Sequence, residues 1–287
     1  MLLGLRPAGR LGDLAALVAL VLVAGLLALA AAQPVLSRVE PRRGRTDVEA
    51  LVVVDITRSM RARDGLRGKT RFDRARAAAK VLRDGLPDVP FGLASLSDRV
   101  LPHLFPTTSL NAYTATVDRS LGIERPPPDR SGRGRATALA ALSALSTQNF
   151  YGAAAKRRVA VVITDGETLP ADLGTLRGRL LGRVTTLFVH VWGPDERVYR
   201  HRVPERAYRP DPLSRAALAE VARAVGGRAF AEDELGEAVA ALDEAIGEGP
   251  SGPQGRELQS LELAPHAALA TLAPLLFLLW RRNFSRT

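Results

Sequence analysis

The chain has 287 residues, of which 46% are hydrophobic and 24% are charged, with a formal net charge of +10 and no cysteine. This length allows one large domain or two small ones, and the lack of cysteine excludes disulfides, thiolate metal sites and cysteine nucleophiles. The positive charge comes from scattered arginines without interleaved aromatic residues, so we expect no nucleic-acid partner.

The first predicted element is an apolar run at residues 14–32, after an expected cytoplasmic N-terminus at residues 1–13. The run carries no charge and has about the 20 residues that a membrane-spanning helix needs. Ala30–Ala32 also fits a signal-peptide cleavage site, but the run is long for a signal peptide, so we favour an uncleaved anchor. A second apolar run, residues 263–280, predicts another span, in which Pro274 is expected to cause a kink.

The charges around the second run predict its orientation. Arg281, Arg282 and Arg286 follow it, whereas Glu257 and Glu262 precede it. The positive-inside rule then makes residues 281–287 a cytoplasmic tail and places the region between the spans outside the cytoplasm. Four arginines after the first run oppose this orientation, but the rule is weaker before a long translocated domain. We therefore predict a two-span cell-membrane protein that contacts the bilayer through both helices.

Residues 47–247 lie between two predicted linkers, 33–46 and a Gly/Pro-rich tether at 248–262, and alternate strand-like with helix-like segments. Continuous apolar runs such as VEALVVVD, RVAVVITDG and VTTLFVHVW are typical of strands that are covered on both faces. Shorter strands are predicted for FGLASLS and VLPHLF. Helices are predicted for RFDRARAAAKVLRDGL, ATALAALSAL, PLSRAALAEVARAVGG and ELGEAVAALDEAIG. This order predicts an α/β fold with a doubly wound, mostly parallel sheet.

Oxygen-bearing side chains follow two of the predicted strands. Asp55, Thr57 and Ser59 come after the first, and Asp165 ends another. Between them, Thr137 begins a predicted helix after a loop that contains Gly134. Ligands of such sheets bind outside the carboxyl ends of the strands, so we expect these residues in one crevice. Two carboxylates and three hydroxyls form a hard, all-oxygen set that suits Mg²⁺ (or Mn²⁺ or Ca²⁺) and is poor for zinc.

These residues, in this order, resemble the metal-ion-dependent adhesion site (MIDAS) of the von Willebrand factor A domain. The resemblance covers some 200 residues and departs from the family only at Thr57, where serine is usual and the hydroxyl is retained. It implies a Rossmann-like A-domain fold. It also implies a divalent cation that the hydroxyls bind directly and the aspartates bind largely through water, so that a carboxylate from a partner protein completes the coordination.

The two spans and the single A domain together resemble bacterial membrane-anchored A-domain proteins of the aerotolerance (Bat) type and of methanol-oxidation clusters. This resemblance implies a non-enzymatic protein-interaction module that helps to assemble or stabilise exported or membrane proteins. The partner is then an unidentified protein that supplies an acidic residue to the metal.

Two other functions remain open at this point. A haloacid-dehalogenase-like phosphohydrolase also places an aspartate after its first strand, but its chemistry requires a second carboxylate where this chain has Thr57. An A-domain subunit of a chelatase or ATPase complex would lie in the cytoplasm, against the two predicted spans. The arginines on either side of Ser59, at positions 58, 61 and 63, belong either to a solvated loop or to a basic rim that attracts an acidic partner.

Overall fold

The structure, a computed structural model, describes residues 10–125, 127 and 137–284. Residues 1–9 of the expected cytoplasmic N-terminus, together with Gly134 and Arg286, lie outside the described residues. The chain forms two compact units. One spans residues 42–255, and the other is built from the segments before residue 42 and after residue 255.

The unit at 42–255 is built on a six-stranded sheet. In chain order, the described strands are β1 (Val35–Arg45), β2 (Val48–Asp55), β3 (Phe91–Leu96), β4 (Val100–Thr107), β5 (Arg157–Thr164), β6 (Thr185–His190), β7 (Tyr199–Arg200), β8 (Val203–Pro204), β9 (Arg228–Ala231) and β10 (Ser251–Glu262). The six-stranded sheet has the order β4-β3-β2-β5-β6-β9 and is parallel except for the edge strand β4. The predicted doubly wound α/β fold is therefore confirmed.

Helices cover both faces of this sheet. On one face lie α2 (Arg71–Asp84), α3 (Leu110–Arg119) and α7 (Leu235–Ile246); on the other lie α4 (Ala144–Thr147), α5 (Leu173–Leu180) and α6 (Ser214–Ala224). The central strand β2 contributes Val52 and Val54 to the first core and Leu51 and Val53 to the second. Because successive side chains of a strand point to opposite faces, a continuous apolar run fills both cores.

The order of the strands reverses at β2. The chain runs from β2 to β3 on one side and later returns to β5 on the other side of β2. β2 and β5 are parallel neighbours, with Val54 opposite Ile163, so their carboxyl ends lie together. Such a switch point leaves a crevice at the carboxyl edge, because the two following connections leave in opposite directions. Asp55 and Asp165 are the residues that reach this edge.

The other unit contains three apolar helices, α1 (Arg10–Ala31), α8 (Ala264–Ala270) and α9 (Leu272–Phe284). The segments Asp13–Ala31 and Ala264–Asn283 are long and apolar enough to cross a membrane. Large side chains of α1 such as Val21 are exposed. The helix is interrupted at Thr271, because Pro274 has no N–H to donate to the carbonyl of Ala270 and its ring crowds that turn. Arg281 donates a hydrogen bond of 2.7 Å to Asp13, so the start of α1 and the end of α9 lie close together.

The structure differs from the prediction in several segments. Both predicted linkers contain strands, β1 and β10, which pair with each other rather than forming flexible connections. ATALAALSAL is a 3-10 turn, Leu139–Ser143, followed by the short α4 instead of one helix. The helices α3 and α5 and the β7–β8 hairpin were not predicted. β1 and β10 are about 200 residues apart in the sequence, so no local sequence pattern predicts that they pair.

Candidate metal centre

Asp55 ends β2 with a fully buried side chain. Its Oδ1 accepts hydrogen bonds from the backbone N–H of Thr57 (2.9 Å) and from Thr57 Oγ1 (2.6 Å). Its Oδ2 accepts from Thr137 Oγ1 (2.7 Å) and from Thr164 Oγ1 (2.6 Å). Asp55 therefore fixes hydroxyl groups from three separate segments of the chain around one carboxylate.

The hydroxyl oxygens of this group lie very close to one another. Thr57 Oγ1 is 3.1 Å from Ser59 Oγ and 3.0 Å from Thr137 Oγ1. Each hydroxyl has one proton. Thr57 and Thr137 donate theirs to Asp55, so neither proton lies between these two oxygens and their lone pairs face each other. Ser59 Oγ lies within hydrogen-bond distance of Thr57 Oγ1, to which it can donate its proton.

The spacing of these oxygens fits a small, hard cation. Neighbouring ligands of an octahedral site with metal–oxygen distances of about 2.1 Å are about 3 Å apart, which matches the two hydroxyl–hydroxyl distances. Within the part of the chain that the structure describes, no group of three or more histidine, cysteine, aspartate or glutamate residues is arranged to hold a metal. A site here has to rest on hydroxyls and two carboxylates, which suits Mg²⁺ and not zinc.

Asp165 follows the last residue of β5 and is also fully buried. Burial and the neighbouring Asp55 carboxylate raise the pKa of Asp165 to about 7. Burial likewise raises the pKa of Asp55. Both shifts have the same physical meaning, because the two negative charges are destabilised by the lack of water and by each other. A cation between them would offset this cost.

The structure therefore brings together all five residues that the sequence pointed to, Asp55, Thr57, Ser59, Thr137 and Asp165. It also adds Thr164, whose hydroxyl was missed although it directly precedes Asp165 in the same ITDGE stretch. Thr137 is held by the backbone as well, since its carbonyl accepts hydrogen bonds from Thr168 Oγ1 (2.7 Å) and from the N–H of Leu169 (2.9 Å).

A buried arginine lies next to this group and was not predicted. The side chain of Arg71, the first residue of α2, is completely buried. Its Nη1 is 2.9 Å from Asp165 Oδ2 and 2.8 Å from Glu167 Oε1, and its Nε is 2.5 Å from Glu196 Oε2. Although burial opposes its charge, Asp165 and Glu167 raise the pKa of Arg71 above its ordinary value. A positive residue in the first turn of a helix interacts unfavourably with the helix dipole. The position of Arg71 in the sequence was therefore a signal from which an acidic partner could have been predicted.

His190, at the end of β6, supports the backbone of Asp165. Its Nε2 donates to the carbonyl oxygen of Asp165 at 2.9 Å and lies 3.1 Å from Ser214 Oγ. Burial lowers the pKa of His190 to about 4, so the ring is neutral at physiological pH. His190 therefore forms part of the crevice wall next to Asp165.

The arginines on either side of Ser59 do not form a free basic rim. Arg58 is paired with Glu205, Arg61 lies 3.4 Å from Glu124, and Arg63 stacks over the ring of Tyr199 at 5.3 Å. Arg58 and Arg61 therefore have acidic partners within the chain, although both side chains remain partly exposed.

The geometry is unfavourable for the phosphohydrolase alternative. A nucleophilic aspartate has to present an oxygen to the substrate, whereas Asp55 is fully buried and each of its oxygens accepts two hydrogen bonds. Thr57, at the position where that chemistry needs a general acid, uses its hydroxyl to bind Asp55.

Residues 50–167, which include all five predicted ligands, match the family model of the von Willebrand factor type A domain. The chain contains a von Willebrand factor type A domain. Its match begins in β2 and ends two residues after Asp165, so it includes both strand ends that form the candidate metal centre of the A domain.

The solved structures that resemble this chain include two bacterial proteins. An aerotolerance-related membrane protein from Bacteroides fragilis NCTC 9343 has a TM-score of 0.54 and 21% identity, with 69% of this chain and 98% of that chain covered. BatB, a conserved hypothetical protein from Bacteroides thetaiotaomicron, has a TM-score of 0.57 and 17% identity, with the same coverage of 69% and 98%. At these identities the similarity establishes the fold of the A domain. No curated protein gives a significant match to the chain.

Proposed function

We propose that this protein is a membrane-anchored, metal-dependent protein–protein interaction module that helps to assemble or stabilise exported or membrane proteins. The observation that carries the proposal is the group of three hydroxyl oxygens beside two buried carboxylates, in which Thr57 Oγ1 lies 3.1 Å from Ser59 Oγ and 3.0 Å from Thr137 Oγ1. Thr57 and Thr137 both donate their protons to Asp55. This leaves lone pairs of these two hydroxyls directed at each other, and a cation is what stabilises such an arrangement.

Each residue of the site has its own part in this function. The hydroxyls of Thr57, Ser59 and Thr137 would hold Mg²⁺, with Mn²⁺ or Ca²⁺ as alternatives, while Asp55 and Asp165 orient the hydroxyls and balance the charge. The bound cation would supply a hard positive charge to which a carboxylate of the partner binds. Of the five residues, only Ser59 is not buried, so its side of the site is where the partner approaches.

The apolar helices give the anchoring part of the proposal. Two segments are long and apolar enough to span a bilayer, and α1 exposes many large apolar side chains, which is unfavourable in water and favourable in lipid. The contact between Asp13 and Arg281 brings the outer ends of α1 and α9 together. A hairpin of two spans, with basic residues at its end, favours cytoplasmic termini and an A domain outside the cytoplasm.

A pull-down from solubilised membranes tests the function. Full-length protein in a neutral detergent should capture one or more membrane or exported proteins in Mg²⁺ and lose them in EDTA. Thr137→Ala should lose most of this capture, because it removes a hydroxyl that both binds Asp55 and borders the candidate metal position. Thr116→Ala is the matched control, since that hydroxyl bonds to a carbonyl of its own helix.

Three results would contradict the proposal. Capture that is equal in Mg²⁺ and EDTA would remove the metal from the interaction. Metal-dependent phosphate release from an aryl phosphate, lost in Asp55→Asn, would favour the phosphohydrolase. Capture of a cytoplasmic ATPase as the main partner would favour the chelatase-type alternative.

A further inference from the structure

The segment between β6 and α6, residues 191–213, lines an open pocket of about 730 Å³ beside the carboxyl edge of the sheet. Its walls include Trp192 and Tyr208, four prolines and three arginines, at positions 197, 206 and 209. The volume is within the roughly 300–1,000 Å³ that is typical of ligand pockets. Trp, Tyr and Arg are also the residues most enriched where protein partners bind.

The residues that line the pocket carry an excess of positive charge, with three arginines and one acidic residue, Glu205. Elsewhere in the segment, Asp195 and Asp211 are exposed, whereas Glu196, which is 3% exposed, binds Arg71 and Arg74 of α2. Glu205 is paired with Arg58. By contrast, Arg206 and Arg209 are exposed, and within the described part of the chain neither has a hydrogen bond or ion pair. Two guanidinium groups therefore remain available to an outside ligand.

The walls of the pocket are fixed before any ligand arrives. Glu167 accepts hydrogen bonds from Trp192 Nε1 (3.2 Å), from Tyr208 Oη (2.9 Å) and from the N–H of Asp211 (3.2 Å). The backbone of Arg197 forms a bridge to that of Arg63. Prolines further restrict the backbone of the segment. A pocket that is already ordered loses little entropy when a ligand binds.

We propose that this pocket is a docking site for an acidic, extended peptide segment of a partner protein, and that it is separate from the candidate metal centre. The ligand is expected to be negatively charged because Arg206 and Arg209 are unpaired among the described residues. Its peptide character follows from the aromatic and proline walls, which offer apolar contact that a small anion cannot use. The two sites share Glu167 and Arg71 as supports, but the pocket needs no cation, because its positive charges belong to the chain.

The experiment measures binding of a fluorescent ten-residue peptide of alternating glutamate and proline to the full-length protein in a neutral detergent. Anisotropy should show binding that is equal in Mg²⁺ and EDTA, and no binding of the corresponding lysine–proline peptide. The double substitution Arg206→Glu/Arg209→Glu should lower the affinity at least tenfold. Arg177→Glu/Arg179→Glu, on the exposed face of α5, changes the net charge equally and should leave the affinity within twofold.

Several outcomes would overturn this inference. The first is that the wild type does not bind the acidic peptide, and the second is that the two double variants lose equal affinity. The third is that EDTA abolishes peptide binding, which would assign the peptide to the metal centre instead. A fourth outcome concerns the membrane surface. If Arg206→Glu/Arg209→Glu abolished binding to vesicles of anionic phospholipid and left peptide binding unchanged, the arginines would serve a lipid surface and the peptide site would be wrong.

Discussion

The A domain has two buried groups of acidic residues side by side, and they balance their charge in opposite ways. Around Arg71, the carboxylates of Asp165, Glu167 and Glu196 receive a guanidinium from the chain itself. Around Asp55, the carboxylate receives only neutral hydroxyl and amide donors. The first group is complete without a ligand, whereas the second is arranged for a positive charge that the chain does not supply. Asp165 belongs to both and links them.

The largest expected effect comes from removing the internal cation. Arg71→Met should destabilise the A domain by about 3–5 kcal/mol, because it leaves buried carboxylates without their partner. Arg83→Met, at the other end of α2, is the matched control, since Arg83 is equally buried but binds only the carbonyls of Leu86 and Thr108. Arg83→Met should lower the free energy of unfolding by less, about 1–3 kcal/mol. Denaturant unfolding of both variants measures the difference.

If Arg83→Met were as costly as Arg71→Met, the pairing with carboxylates would not be what distinguishes the Arg71 group. Partial recovery of stability in the double variant Arg71→Met/Glu196→Gln would support the same interpretation, because it removes one of the carboxylates that was left unpaired.

The next effect concerns the site that lacks an internal cation. Asp55→Asn should lower the affinity for Mg²⁺ at least 100-fold, since it removes a charge and disturbs three hydroxyls at once. Thr164→Val should lower it about tenfold, because Thr164 only positions Asp55. Asp47→Asn provides the control, as Asp47 is a buried carboxylate paired with Arg45 just before β2. Calorimetric titration of the full-length protein in detergent gives these affinities, and unchanged binding in Asp55→Asn would place the metal elsewhere.

The smallest effect follows from the pKa of Asp165. Its value of about 7 in the folded protein lies above its ordinary 3.8. The folded, metal-free domain therefore binds the proton more tightly than the unfolded chain, and its contribution to stability is lost as the pH rises through about 7. Mg²⁺ competes with this proton, so the Mg²⁺ affinity of the wild type should fall by up to about tenfold for each pH unit below 7.

The comparison with Asp165→Asn isolates this titration. That variant keeps His190, whose pKa of about 4 leaves it neutral above pH 6, and should show a flatter dependence of Mg²⁺ affinity between pH 6 and pH 8. Equal slopes in the wild type and in Asp165→Asn would assign the pH dependence to another group.

The sequence by itself determined most of the sheet and the composition of the candidate site. The short valine-rich runs of β2 and β5 are typical of strands that are covered on both faces, and an aspartate at the end of such a strand lies at the carboxyl edge of a parallel sheet. Local spacing then placed Thr57 and Ser59 beside Asp55. These features depend on a few consecutive residues, so they are visible in a single sequence.

Tertiary structure alone decided what surrounds the site. In the sequence, Arg71 resembles the many exposed arginines of the chain. Only folding brings it into contact with Asp165 and Glu196, which are 94 and 125 residues away. The same holds for Glu205 on Arg58 and for the pairing of β1 with β10. Such contacts carry no local periodicity, because they join segments that meet only after the sheet has formed. Packing, and not the motif, therefore decided which carboxylates receive an internal cation and which receive none.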